Sequence, residues 1–362
     1  MINQLKQINF KNKKFRLILA FLSIVLICIY IYVFVSRGFK EFYDEKMDYV
    51  RAERILNKGL QGFYDNDTYI SPYPPLALSL IALIKALSPS LEAFKTIFFL
   101  ILLLNIALFY ECLKIYNENL APLILFCFLT FPILRLGVIT LHPTDLLFLL
   151  FLLLSFRFKN KKFLPLTFLG LSIAVKWYSC LIALLYPLYY RKDKMLMFKI
   201  TLPLYSSIFF GLIIPIFIFP NYLSIYGFHI EKSIQLISWI QYSYGVKVPV
   251  LSLAYPLNLY IGLPLTILCF LASILITLTR NLDEASLATL SLIPYVLFAS
   301  TTIPYLRFSV YPFITFALTN KLNIKTLFFI AALFFFRYNF IAVILISIVL
   351  YFSIYKEFRK FA

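Results

Sequence analysis

Histidine is nearly absent from this chain: two residues in 362. With so few, and those far apart, a histidine-built metal site is excluded. The five cysteines stand singly inside or at the edges of apolar runs, so they form neither a disulfide framework nor a thiolate cluster. Charge is scarce too, at 14% of residues, while apolar residues make up 62%. A soluble globular domain does not have that profile; a polytopic α-helical membrane protein does. Strand-like alternation is also missing. Runs such as Ile97 to Leu104 and Leu146 to Leu154 are continuous, which argues against a β-barrel. Acids are the scarcer charge, 16 against 34 Lys and Arg. That balance resembles a nucleic-acid binder's, but its distribution does not. The bases cluster in short loops: near Lys11 to Arg16, Arg157 to Lys162, Arg191 to Lys199, Lys321 to Lys325 and Lys356 to Lys360. This is the positive-inside pattern, and it predicts both termini in the cytoplasm with anionic lipid head groups as the partner.

What is present is hydrocarbon-like length. At about 20 residues per crossing, the apolar stretches predict roughly nine to twelve membrane segments in one integral domain over residues 1–362. The first, at 15–35, is too long for a signal-peptide core and reads as an uncleaved anchor. Residues 36–73 then fall on the outer face, followed by a transmembrane bundle over 74–355 with an outer segment at 220–252. The sequon Asn66-Asp67-Thr68 agrees with that side. Residues 163–189 lie between two basic loops, so they must cross twice, as two short helices meeting near Lys176. The break at Leu141-His142-Pro143-Thr144-Asp145 disturbs the parity of 96–157 and predicts one short or re-entrant segment there.

The loop at 36–73 concentrates the acids. Residues 44–60 read as a surface helix ending at Gly59, with Tyr49, Ala52 and Leu56 on one stripe. Asp44 and Asp48, four apart, share a face. Pro74 and Pro75 open the next span, where missing N–H groups cost nothing. Such acids form a solvated face in most loops. Here Lys176, His142, Asp145, His229, Lys232 and Arg307 are all expected on the same side of the membrane. A carboxylate beside several cations suits a group transfer at the membrane surface: the acid takes a proton and the cations hold a phosphate leaving group.

Asp44, Asp48-Tyr49, Arg51-Ala52-Glu53-Arg54-Ile55-Leu56, Gly59, Tyr64 and Tyr73-Pro74-Pro75-Leu76 together resemble the first outer loop of GT-C glycosyltransferases. Among these, the polyprenyl-phosphate-mannose-dependent mannosyltransferases, bacterial and GPI-anchor types alike, are the most similar. Three later blocks carry the likeness further: Ala174-Val175-Lys176-Trp177-Tyr178, Phe228 to Trp239, and Thr301 to Tyr311. In order and spacing they span about 40 to 320. Trp177 follows Lys176 where the family usually has proline, and the acid lies about one residue further from Gly59 than in the family. The choice among Asp44, Glu45 and Asp48 therefore stays open.

The resemblance implies an all-α, GT-C-like membrane bundle acting as an inverting hexosyltransferase. The donor would be a polyprenyl- or dolichyl-phosphate sugar, most simply mannose, and the acceptor a glycolipid or glycan at the outer face. Asp44 or Asp48 would deprotonate the acceptor hydroxyl. Lys176 and Arg307 would hold the donor phosphate, or else snorkel as helix-end anchors. Tyr49, Tyr73, His142, Asp145, His229, Lys232 and Gln235 are the candidate substrate contacts, with capping of the helix after Pro143 the plainer role for His142 and Asp145. No cofactor is expected; two acids without a third ligand make a poor metal site, though a divalent ion there stays open. The rival reading is a transporter or flippase for lipid-linked or anionic solutes, and carboxylates deep in the membrane would favour it. A scaffold subunit without catalysis is a third.

Overall fold

A computed structural model describes residues 13–39, 44–66, 73–130, 138, 141–161, 163–176, 180–219, 270–279 and 287. Among these residues the structure is helical throughout and has no strand. We number the helices α1 Lys13–Val33, α2 Asp44–Asn66, α3 Pro75–Ala86, α4 Leu91–Asn117, α5 Ala121–Leu129, α6 Pro143–Arg157, α7 Leu164–Val175, α8 Cys180–Tyr189, α9 Lys194–Ile208 and α10 Phe270–Thr279. Among the described residues, three stretches are long and apolar enough to cross a membrane: Lys13–Gly38, Leu91–Ile115 and Met197–Ile218. On the last of these Phe210 and Phe217 are 67% and 80% exposed. Rings left so open belong against hydrocarbon rather than water.

The chain divides into two compact units. The first comprises Met1–Ile31, Phe109–Arg135 and Pro249–Ala362. Within it Arg16 donates to the Asn119 side chain at 3.2 Å and lies 4.0 Å from Glu118. The Tyr30 hydroxyl donates to the Leu129 carbonyl, and Phe109 meets Phe128 edge-on.

The second unit comprises Tyr32–Leu108 and Leu136–Val248 and holds every candidate site residue that the structure describes. Prolines punctuate it: Pro75, Pro143 and Pro165 each stand in the first turn of a helix, where the absent N–H would have had no partner. Pro215 lacks the N–H that would bond to Gly211, and the helix relaxes there into a π-helical turn, Phe209–Ile213.

Helix α6 is enclosed. Eleven of its fifteen residues are buried, only the stripe Leu150, Phe151, Leu154 and Arg157 being less so, and it packs against α7 and α3. Two glycines let the helices close up. A Cβ at Gly170 would stand 2.6 Å from the Leu204 carbonyl oxygen on α9, and one at Gly211 would stand 2.6 Å from Ala174 Cβ on α7. The backbones therefore approach more closely there than any other residue would permit.

The paired short helices expected at 163–189 are α7 and α8, with Lys176 in extended backbone at the end of α7. Within 96–157 one described helix, α5, is nine residues long. The outer-loop helix differs from expectation in its buried stripe. Its first helical segment ends at Gly59 as expected, where the backbone is non-helical with φ at 70° and ψ at 170°, and a second segment continues beyond it to Asn66. The missing Cβ makes that left-handed kink tolerable. Its buried stripe is Asp48, Ala52 and Ile55, whereas Leu56 is 48% exposed. Spacings of four and three put 48, 52 and 55 on one face, and that face packs on α3.

Candidate functional site

Two polar centres lie in the second unit, both touching α4. The first is at the start of that helix. Asp48 is 1% exposed, and Arg51 donates to one of its carboxylate oxygens at 2.8 Å. Three residues apart on α2, the two side chains share a face. Buried beside a guanidinium, the carboxylate is fixed in direction. The same guanidinium lies 5.7 Å from the centre of the Tyr73 ring, and Lys85 of α3 sits 4.5 Å from the centre of the Tyr49 ring. Tyr49 in turn meets Phe94 edge-on at 5.4 Å. Asp48, Tyr49 and Tyr73, all expected on sequence grounds, are thus drawn together by two cations not among the expected contacts. Asp44, the other candidate base, opens α2 one turn earlier.

The second centre joins α4, α6 and the end of α7. Lys176 Nζ donates to Asp145 Oδ1 at 2.6 Å, with both side chains 6% exposed. Asp145 stands in the first turn of α6, where the helix dipole also favours a negative charge. His142 occupies the N-cap position of α6 in extended conformation, buried, with no side-chain capping bond. Asn105, from the middle of α4, donates its side-chain N–H to the Leu146 carbonyl at 3.0 Å. That bond sets the height of the centre. Asn105 lies eleven residues past Phe94, which at 1.5 Å per residue is about 16 Å further along α4.

Lys176 has an acid as a partner. An ammonium has three donors, and Asp145 takes one of them, so Lys176 serves first as half of an internal ion pair. Asp145 does come together with Lys176, with His142 three residues before it at the helix N-cap. Of the remaining expected residues, Arg307, His229, Lys232 and Gln235 lie outside the described residues. Among the described residues no three His, Cys, Asp or Glu side chains gather as a metal ion would require.

Arg51, Lys85 and Asn105 are members of these centres that sequence reasoning passed over. Each carried a signal. Arg51 follows an acid by three on a helix; Lys85 and Asn105 are polar residues inside apolar runs, which a membrane helix retains only for a reason. Lys95, fully buried one residue after Phe94, is another of this kind.

No protein-family model, curated protein or solved structure matches the chain, so the GT-C resemblance rests on the residues quoted for it.

Proposed function

We propose that the protein is a polytopic GT-C-type membrane glycosyltransferase of roughly nine to twelve transmembrane segments. It transfers a hexose, mannose in the simplest case, from a polyprenyl- or dolichyl-phosphate sugar to a glycolipid or glycan. Both termini are cytoplasmic and the active site is extracytoplasmic. The observation that carries this reading is the Asp48 centre. A buried carboxylate, aimed by Arg51, stands among Tyr49, Tyr73 and Lys85 beside the first turns of a membrane-length helix.

In this mechanism the acceptor hydroxyl gives its proton to Asp48 as its oxygen attacks the anomeric carbon. The bond from that carbon to the phosphate oxygen breaks, and its electron pair leaves with polyprenyl phosphate. One displacement inverts the anomeric centre without a glycosyl-enzyme intermediate. Charge accumulating on the leaving phosphate calls for nearby cations. Arg51, bonded to Asp48, and Lys85, over the neighbouring Tyr49 ring, are the candidates here, and Arg307 is assigned the same task from the sequence. Asp44 is the alternative base.

The rival reading, transport of an anionic or lipid-linked solute, is favoured by one specific observation. The Asp145–Lys176 pair lies level with the middle of α4, at the depth where transporters keep their ionisable residues. Sugar transfer and solute flux by the purified protein, each with Asp48→Asn and Asp145→Asn, separate the two. The glycosyltransferase reading expects transfer to vanish with Asp48→Asn. Flux that depends on Asp145, with no transfer from any lipid-phosphate sugar, would support transport.

A further inference from the structure

Two basic turns of the second unit, well separated in sequence, meet at one end of its helices. Helix α7 runs parallel to α9: Gly170 packs on Leu204 and Ser207, and Ala174, one turn further on, packs on Gly211. Helix α8 runs antiparallel to α9, for the Tyr205 hydroxyl donates to the Ala183 carbonyl at 2.7 Å. Leu164 stands six residues before Gly170, and Phe198 six before Leu204, so the two are level, each about 9 Å back along its helix. By the same count Tyr189, six past Ala183, is level with Lys199, six before Tyr205. Helix α6 arrives at this end too, its last aromatic residues Phe151 and Phe158 stacking on Phe168 of α7. The α6–α7 turn and the α8–α9 turn are therefore neighbours, although two whole helices lie between them in the chain.

Together they make a surface of mixed chemistry. Arg157, Lys161, Arg191, Lys192, Lys194 and Lys199 are all exposed, and Asp193 is the only acid between Arg157 and Lys199. Interleaved with these bases, Phe163, Leu164, Met195 and Phe198 are between 44% and 66% exposed. A soluble polyanion would meet the charges and leave the apolar side chains in water. A lipid offers both an anionic head and hydrocarbon chains, so it matches the whole surface. Charge also narrows the head group. Six cations crowded at one end repel one another, and a single negative charge offsets little of that.

We propose that the α6–α7 and α8–α9 turns together form a binding site for one lipid whose head group carries two phosphates. The bases of both turns hold the head group, and its acyl chains run along the exposed apolar side chains beside them. Basic loops attract anionic lipid in general, each loop on its own account; a single head group shared by two turns is a different and stricter arrangement. It does not depend on the proposed reaction.

Native mass spectrometry of the purified full chain, with cardiolipin as the probe, tests this. One cardiolipin per chain should be retained in preference to phosphatidylglycerol. Arg157→Gln with Lys161→Gln, or Lys192→Gln with Lys194→Gln, should each weaken its binding about 30-fold. Combining all four changes should add little, because a head group that has lost one turn is no longer bridged. Losses that multiply in the combined variant, several lipids per chain, or no preference over phosphatidylglycerol would overturn the proposal. Inorganic pyrophosphate separates the sources: it should leave the lipid in place, and displacement at comparable affinity would make this a phosphate site without a lipid. The substituted side chains are exposed, so the variants should fold. The charge-retaining pair Arg157→Lys with Lys161→Arg must bind as the wild type does, and loss there contradicts the site.

Discussion

The two polar centres on α4 each hold an ion pair, in different surroundings. Around Asp48, the pair with Arg51 is formed within one helix and is bordered by aromatic rings. Arg51 and Lys85 each lie over a tyrosine, and the side chains come from neighbouring stretches of chain. Some 16 Å further along the helix, charge meets charge: Lys176 and Asp145 are 31 residues apart and almost wholly enclosed. A cation on an aromatic face gives up little when it shifts to a phosphate, because that contact is worth only about 0.5–1 kcal/mol at a partly exposed site. A buried ion pair cannot be redirected so cheaply, since either partner left alone keeps its full desolvation penalty. In the first centre it is Lys85, over the Tyr49 ring, that suits a reaction in which charge moves. The second is suited to holding α6 and α7 together, with its charges balanced.

The largest expected effect lies at the first centre. If Asp48 is the base, Asp48→Asn lowers sugar transfer about 10²–10⁴-fold while the protein still folds and binds donor. A comparable loss from Asp44→Asn, with Asp48→Asn active, would move the base one turn along α2.

Next come substitutions that break the buried pair. Asp145→Asn or Lys176→Met alone should destabilise the protein by about 3–5 kcal/mol, because each leaves an uncompensated buried charge or its orphaned partner. The double substitution Asp145→Leu with Lys176→Met should cost less than either single change. Thermal unfolding of the purified variants checks the order. Equal costs for singles and double would mean that the pair is not a closed unit, and the contrast between the centres would fail.

Close helix packing behind the pair gives a smaller effect. Gly170→Ala forces a methyl to within 2.6 Å of the Leu204 carbonyl oxygen, so α7 and α9 must separate. A loss of about 1–3 kcal/mol is expected, measured in the same way. Gly59→Ala has no such clash, with nothing within 4 Å of the added carbon, and its cost comes only from the left-handed backbone. That cost is about 1 kcal/mol.

Smallest of all, Lys85→Gln should change stability by no more than about 1 kcal/mol. Under the proposed reaction it should nonetheless weaken donor use, seen as a rise in KM for the polyprenyl-phosphate sugar. No change in KM would remove Lys85 from the phosphate site and leave it a snorkelling side chain.

The contrast also explains how far the sequence could be read. Helix starts were plain, because Pro75, Pro143 and Pro165 each stand at the head of an apolar run. The turn at Lys176 was plain for a related reason, since two basic loops so close together leave room only for two short helices. Asp48, Tyr49 and Tyr73 are near in sequence, so a loop motif could collect them. Their setting was less legible. The apolar stripe Tyr49, Ala52 and Leu56 suggests one buried face, but an acid followed at four and seven by Ala52 and Ile55 describes the face that is buried. Nothing local pairs Lys176 with Asp145. That contact depends on how α6 packs against α7, and a single chain records such packing only as apolar runs. The midpoint asparagine of α4 was the available clue: an amide in that position needs a partner from another helix.

The central claim is that the protein transfers a sugar from a lipid phosphate at the Asp48 centre. Purified wild-type protein, incubated with polyprenyl-phosphate mannose and a panel of glycolipid acceptors, tests this most directly. The account predicts a mannosylated acceptor of inverted anomeric configuration, formed by the wild type and lost in Asp48→Asn. No transfer from any lipid-phosphate sugar, alongside protein-dependent movement of lipid or anionic solute across vesicles, would contradict it.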